Sequence, residues 1–258
     1  MEQRGVGWGA FISPVVAALV WELLVMAGIL HPSYLPPPSQ LGPHLVELLA
    51  AGELGLHLWV TLYRLGLSFV LAVVPALVLG LSLGMSRNMR LALEPILTSL
   101  YAIPKIALLP LIMLIVGVNE RALIFTSTLT SFVQMTVSTT GGVLAVDRIV
   151  LEAGKNYGAT GWRLFRYVLL PSALPDIFTG MRIGLGLTLV LVIAVELTAA
   201  QEGLGAFLWT AGQTLSAKNL FSAFVVIGVI GWALTYGLER IGNWLMPWRE
   251  RSSAEMFL

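Results

Sequence analysis

Side chains able to do chemistry are few in this chain, and they are scattered. Only 11% of the 258 residues are charged, there are three histidines and there is no cysteine. His31, His44 and His57 stand thirteen residues apart, too widely spaced for the close pairs of a metal motif, and read as surface histidines. Without a thiol, disulfides, thiolate ligands and thiol catalysis are excluded. No G-x-x-x-x-G-K-[S/T] is present, so no P-loop cradles a nucleotide. An enzyme would need acids, bases or ligands grouped at one depth, and no catalytic or metal constellation of that kind is visible. What remains is charge set in apolar surroundings, which is costly and faces protein or water. Lys105 lies between Pro104 and Pro110, Glu196 ends a long apolar run, and Arg64 and Arg182 interrupt two others. A run of hydroxyl and amide residues, including Thr126, Thr130, Ser131, Gln134 and Thr140, gives one segment an unusual polar load.

Composition identifies the elements that carry these groups. With 57% hydrophobic residues and a mean hydropathy of +0.86, the chain is far more apolar than the ~45–50% of a soluble domain. It is expected to be an all-α membrane protein, one domain over residues 1–258 and a polytopic bundle of six transmembrane helices. With about 20 apolar residues per span as the ruler, the spans fall near 11–30, 58–84, 93–117, 122–143, 177–200 and 221–246. The third is broken by Pro104 and Pro110, and the first is read as a retained span, not a cleaved signal. No internal repeat stands out. A net charge of +1 with no basic block beyond the membrane boundaries argues against nucleic acid. Arg4, Arg87, Arg90, Arg148, Lys155, Arg163, Arg166, Arg249 and Arg251 fall on one side of this topology. The excess of Lys and Arg makes that side cytoplasmic, with both termini inside.

Two connecting segments stand out. Outside, Pro36, Pro37 and Pro38 form a stiff stretch. There Ser39 is expected to cap a short helix with Leu41, Leu45, Leu48 and Leu49 as its apolar face, either a spacer or a contact for a soluble partner. A second outer segment, Gln201–Asn219, carries Gly203-Leu204-Gly205. Inside, residues 144–176 contain EAGKNYGATGWRLFRYVLLP from Glu152 to Pro171. Residues Glu152 to Tyr157 can form a short helix. Gly154, Gly158 and Gly161 leave room for another surface to approach, and Pro171 and Pro175 are expected to turn the chain before it re-enters the membrane.

The order Glu152-Ala153-Gly154, three residues, Gly158, nine residues, Val168-x-Leu170-Pro171 resembles the coupling loop of permease subunits of ATP-binding-cassette importers. The departure is Gly154, where that family usually has alanine. Further markers are LPPPS at Leu35–Ser39, TLYR at Thr61–Arg64, IPKIALLPL at Ile103–Leu111, VEL at Val195–Leu197 and the Gly203–Gly205 element. Together they are similar to the nitrate, sulfonate and taurine subfamily. Many relatives end the third span in Trp-Phe-Gly, where this chain has Ile115-Val116-Gly117.

The resemblance implies a type I importer permease in a bacterial inner membrane. Glu152, Ala153, Gly154, Tyr157, Gly158, Ala159, Leu170 and Pro171 would meet the ATPase as a cytoplasmic coupling helix and its flanks. ATP and magnesium would sit on two separate ATPase subunits. A second permease copy would complete the path, and an extracytoplasmic solute-binding protein would deliver a small anion of the nitrate, sulfonate, taurine or bicarbonate type. A heterocyclic vitamin precursor is the alternative cargo, and an ion-coupled secondary transporter the alternative class. Lys105, Thr130, Gln134 and Glu196 are the candidates for the translocation path. Lys105 either attracts an anion, snorkels to the cytoplasmic interface or pairs with a carboxylate. The hydroxyls either pack helices or meet substrate, and Glu196 is more consistent with a structural role than with proton transfer. Arg64 and Arg182 are expected at boundaries or in interhelix pairs, with Glu22 or Glu239 as partners. Gly180, Gly184 and Gly186 suggest close helix approach at a dimer seam.

Overall fold

The computed structural model describes residues 9–248, with side chains from Ile12 onward. Arg4, Arg249 and Arg251, part of the charge argument for orientation, lie outside the described residues. Among the described residues every regular element is helical. Helix α1 (Gly9–Met26) is followed by α2 (Pro38–Ala50), α3 (Glu53–Met85) and α4 (Arg87–Ala102). A 3₁₀ turn (Lys105–Leu108) then leads into α5 (Leu109–Val116). Next come α6 (Glu120–Leu144), α7 (Arg148–Asn156), a single turn α8 (Gly161–Leu164), α9 (Leu170–Ala199), α10 (Leu204–Gln213) and α11 (Ala217–Leu245).

The expected apolar spans overlap helical elements, the third running across α4, the 3₁₀ turn and α5. Three rods are long and apolar enough to cross a bilayer unaided: α3, the continuous stretch Gly161–Ala199, and α11. Two further spans qualify as bent pairs, α4 with the segment Lys105–Val116 at 91° and α6 with α7 at 61°. The first expected span holds only the shorter α1, apolar over Ile12–Met26. The break after α4 follows from Pro104, which holds Ile103 in an extended conformation at ψ 127° and so ends the helix.

Helix α6 is the centre of the bundle, packed between α3 and α9. Small residues let these backbones approach. A Cβ at Gly80 of α3 would lie 2.5 Å from that of Thr139, and a Cβ at Gly180 of α9 would lie 2.2 Å from that of Ser138. Gly184 meets Met135 in the same way, whereas Gly186 faces open space. Gly180 and Gly184 therefore seat α9 on α6 of their own chain, and do not mark a dimer seam. The hydroxyls of α6 work at the same contacts. Ser131 bonds Thr188 across to α9, and Thr140 reaches the carbonyl of Gly80 at 3.2 Å. Thr126 and Thr136 donate back to their own helix, to Ala122 and Phe132 at 2.7 Å.

Two local expectations are corrected. The chain does not turn at Pro171 and Pro175. Pro171 occupies the first turn of α9, and a π-helical stretch over Phe165–Leu169 joins α8 to it. The wider ladder of that stretch absorbs the missing proline N–H at the position where a regular helix would break. Ser39 does not cap α2. Pro37 precedes the helix and Pro38 starts it, while the Ser39 hydroxyl and amide donate to the Glu22 carboxylate at 2.7 and 3.0 Å. Leu41 and Leu48 face inward, and Leu49 remains 49% exposed.

Candidate functional site: an open helix and a buried charge network

The Glu152–Pro171 segment projects from the end of the bundle where α6 finishes and α9 begins. Helix α7 starts four residues before Glu152, because the Asp147 side chain accepts from the Ile149 amide at 2.8 Å and caps it. It ends in a Schellman turn. Ala159 donates to Gly154 at 3.0 Å and Gly158 to Lys155 at 2.9 Å, with Gly158 in the left-handed region at φ +83°. None of the α7 side chains is buried. Tyr157 is 93% exposed, with Ile149 and Trp162 at 72%, an apolar surface with none of the described residues upon it.

The segment's glycines have different reasons. Gly154 points inward, where a Cβ would lie 2.9 Å from a methyl of Val168, so its bareness serves packing within the chain and not a visiting surface. Gly158 and Gly161 are required for their positive φ of +83° and +51° and have open space around them. Glu152, Ala153, Tyr157 and Gly158 thus share an exposed tip, with Ala159 half-buried beside it. Leu170 packs inward beside Val143, Ala173 and Ile177. Pro171 lines a cleft of about 300 Å³ with Val150, Tyr167, Pro175 and Trp248.

The four candidates for the path are not brought together. Lys105 donates from Nζ to the Tyr101 carbonyl at 2.7 Å and stands 5.2 Å from the centre of its ring. That carbonyl loses its helical partner when α4 stops at Ala102, so the ammonium caps the helix and complements its dipole. Lys105 is not at the loop end, since α4 starts there at Arg87 and its 16 residues rise about 24 Å. On α6, Thr130 and Gln134 lie one turn apart. Gln134 donates to Ser138 at 3.3 Å, and the Thr130 hydroxyl is buried without a partner. Glu196 is wholly buried near the opposite end of the bundle.

Around Glu196 the structure assembles a network that sequence reasoning did not pair. The Arg64 guanidinium donates to Glu196 at 2.8 Å and to the backbone carbonyl of Glu202 at 2.6 Å. It also grips the Glu120 carboxylate, with Nε at 2.9 Å and a terminal nitrogen at 2.7 Å. Thr61, one turn before Arg64, donates to Glu196 at 2.9 Å and accepts from the Leu204 amide at 2.8 Å. The Gly205 amide donates to Glu196 at 2.9 Å. The Gly203 amide donates to His57 Nδ1 at 3.0 Å, which makes Nε2 the protonated nitrogen of the neutral ring. A Cβ at Gly203, where φ is +115°, would lie 2.4 Å from the Glu196 carboxyl carbon, and one at Gly205 would lie 2.4 Å from the Ile193 carbonyl. The two glycines are there because the backbone must touch the carboxylate.

This corrects the expected pairs. Arg64 takes Glu120 and Glu196, and neither Glu22 nor Glu239. Arg182 and Glu239 line one small cavity between α9 and α11. His44 and His57 are half-buried, His44 bonding Asn219 at 2.7 Å, and neither is a plain surface histidine. The available signal was the i,i+3 spacing of Thr61 and Arg64, which puts both on one helix face.

A helical membrane bundle whose polar groups are spent on holding helices together, and in which α7 buries no side chain, defines a membrane component with a helix open to other chains. The chain belongs to the family of binding-protein-dependent transport system inner membrane components, whose model matches residues 45–251. It is 32% identical over 240 residues to the taurine transport system permease protein of Escherichia coli (strain K12), covering 90% of this chain and 86% of that one. It is 27% identical over 245 residues to the nitrate import permease protein of Synechocystis sp. (strain ATCC 27184 / PCC 6803 / Kazusa), covering 92% and 88%. Among solved structures, the methionine ABC transporter MetNI in inward-facing conformations matches with a TM-score of 0.65 at 23% identity, covering 72% of this chain and 93% of that one. The protein is an ABC importer permease subunit of the binding-protein-dependent class, with the type I fold, and its relatives are named as transport subunits, not enzymes.

Proposed function

We propose that this permease imports a small oxyanion of the sulfonate or nitrate type, driven by two ATPase subunits that receive α7 in a cleft. The single observation that carries the coupling assignment is α7 itself, a capped amphipathic helix with its outer surface bare. Glu152, Ala153 and Tyr157 make the contact, and Gly158 holds the turn that presents them. The end bearing α7 is cytoplasmic, where ATP and magnesium on the partner are available, and a solute-binding protein engages the opposite end. Two copies of the chain enclose the path. The cargo assignment is supported by the relatives named for taurine and nitrate. Of the path candidates, Lys105 has two ammonium hydrogens beyond the one given to Tyr101 and is placed on the anion's route. Thr130 and Gln134 lie farther along it, and Glu196, enclosed by its own partners, supports the walls.

The test is co-purification of the tagged permease with its co-expressed ATPase, comparing wild type with Ala153→Trp. Ala153 is exposed, so the bulky side chain leaves the bundle folded while obstructing the contact. Association is expected to fall at least about tenfold, the effect of about 1.4 kcal/mol. Retained association with retained stimulation of ATP hydrolysis refutes the coupling role. Uptake of labelled taurine, nitrate and a heterocyclic vitamin precursor by the assembled system then decides the cargo.

A further inference from the structure

Helix α11 carries a ladder that transport does not use. Trp232, Tyr236, Arg240 and Trp244 recur every four residues and so climb one face of the helix. The face that packs inward carries Ile230, Leu234, Leu238 and Gly242. That set is offset by two residues, about 200° around the helix, so the ladder lies on the side away from the bundle. Trp232 and Trp244 are 56% and 80% exposed.

The rungs are ordered among themselves. The Trp232 and Tyr236 rings stack at 5.5 Å with an interplanar angle of 12°. The Arg240 guanidinium stands 5.0 Å from the Tyr236 ring centre and donates to the Tyr236 hydroxyl from Nε at 2.8 Å and from a terminal nitrogen. Two of its five N–H groups are thereby used, which leaves three on an exposed side chain. Such donors fit a phosphate oxygen pair.

Depth fits as well. Helix α11 has 29 residues and is about 43 Å long, which exceeds a hydrocarbon core of about 30 Å by several ångströms at each end. Arg240 stands about 8 Å along the axis from the helix end at Leu245, which in a centred helix is the edge of the hydrocarbon core, from where a long cationic side chain snorkels to the phosphates, with Trp244 above it and the Tyr236–Trp232 stack on the acyl side.

We propose that this ladder is a binding site for an anionic phospholipid in the leaflet on the α7 side, with the phosphate on Arg240 and an acyl chain along Tyr236 and Trp232. The assembled transporter is placed in nanodiscs of phosphatidylcholine containing either brominated phosphatidylglycerol or brominated phosphatidylcholine at equal fractions. The signal read is the quenching of Trp244, taken as the difference between wild type and Trp244→Phe. Phosphatidylglycerol is expected to be enriched at Trp244 about fivefold, the factor one arginine contributes at an anionic surface. Arg240→Gln should abolish the preference and Arg240→Lys should retain most of it. Equal quenching by both lipids in wild type, or a preference that survives Arg240→Gln, overturns the proposal. So does cross-linking between copies through Trp244→Cys, unambiguous in a chain with no other cysteine, which would put a second permease on this face.

Discussion

The two ends of the bundle are built on opposite terms. At the Glu196 end, polar groups are spent inward: Arg64, Thr61 and the Gly205 amide all close on one buried carboxylate. That closure binds α3, α6 and α9 to the segment entering α10. At the α7 end nothing comparable holds the helix down. It meets its own chain where Gly154 lies against Val168 and Leu164, while Tyr157, Ile149 and Trp162 face outward. A bundle tied at one end and open at the other has the form of a lever. A partner that moves α7 works against the bent junction with α6, and the network keeps the opposite ends of the spans in register as one body.

The largest effect that tests this contrast comes from breaking the buried pair. Glu196→Leu leaves Arg64 with the half-exposed Glu120 carboxylate and strips the buried acceptor from Arg64, Thr61 and the Gly205 amide, and is expected to cost about 3 kcal/mol, the low end of the range for breaking a buried pair, since Arg64 keeps one partner. The readout is the unfolding midpoint in detergent. Glu152→Gln on α7 should stay within about 0.5 kcal/mol of wild type. Joint replacement of Arg64 by Met and Glu196 by Leu should recover part of the loss, and the cycle measures their coupling. Similar midpoints for Glu196→Leu and Glu152→Gln would erase the difference between the ends.

Glycine substitutions sharpen it at smaller scale. Gly203→Ala forces a Cβ against the Glu196 carboxyl at φ +115° and is expected to cost about 1–3 kcal/mol of global stability. Gly158→Ala meets open space at φ +83°. Its cost of about 1–2 kcal/mol should fall on the end of α7 alone, weakening ATPase association while the unfolding midpoint stays in place. A drop in midpoint equal to that of Gly203→Ala would mean that α7 is as integral to the bundle as the network is.

The span map was legible because long apolar runs have one solution in a bilayer, and the break before Lys105 because Pro104 forbids helix at Ile103. Elements whose outcome depends on a neighbour were not. Whether Pro171 breaks a helix or starts one was decided by the π-helical stretch before it, which has no compositional signature. Ser39 had a carboxylate within reach, Glu22 on the preceding helix, and spent its hydroxyl there. Arg64 and Glu196 are 132 residues apart in the chain, and only the folded packing of α3 on α9 makes them partners. The exposed tip of the Glu152 segment could be read from residue order, yet the inward role of Gly154 required knowing where Val168 lies.

Lys105 belongs to neither end and carries a small expected stability effect. As the cap of α4 it is worth about 0.3–1 kcal/mol, so Lys105→Gln should fold, insert and assemble with its ATPase as wild type does. If its remaining donors also meet the travelling anion, Lys105→Gln raises the KM for uptake while the ATPase still binds and turns over. Lys105→Arg, which keeps the charge, restores most of the uptake. If the ammonium serves only Tyr101, uptake is unchanged in both variants, and the path must be sought along the half-buried side of α6 that carries Thr130 and Gln134. The paired variants thus separate a charge that holds a broken span in shape from one that also draws substrate through it.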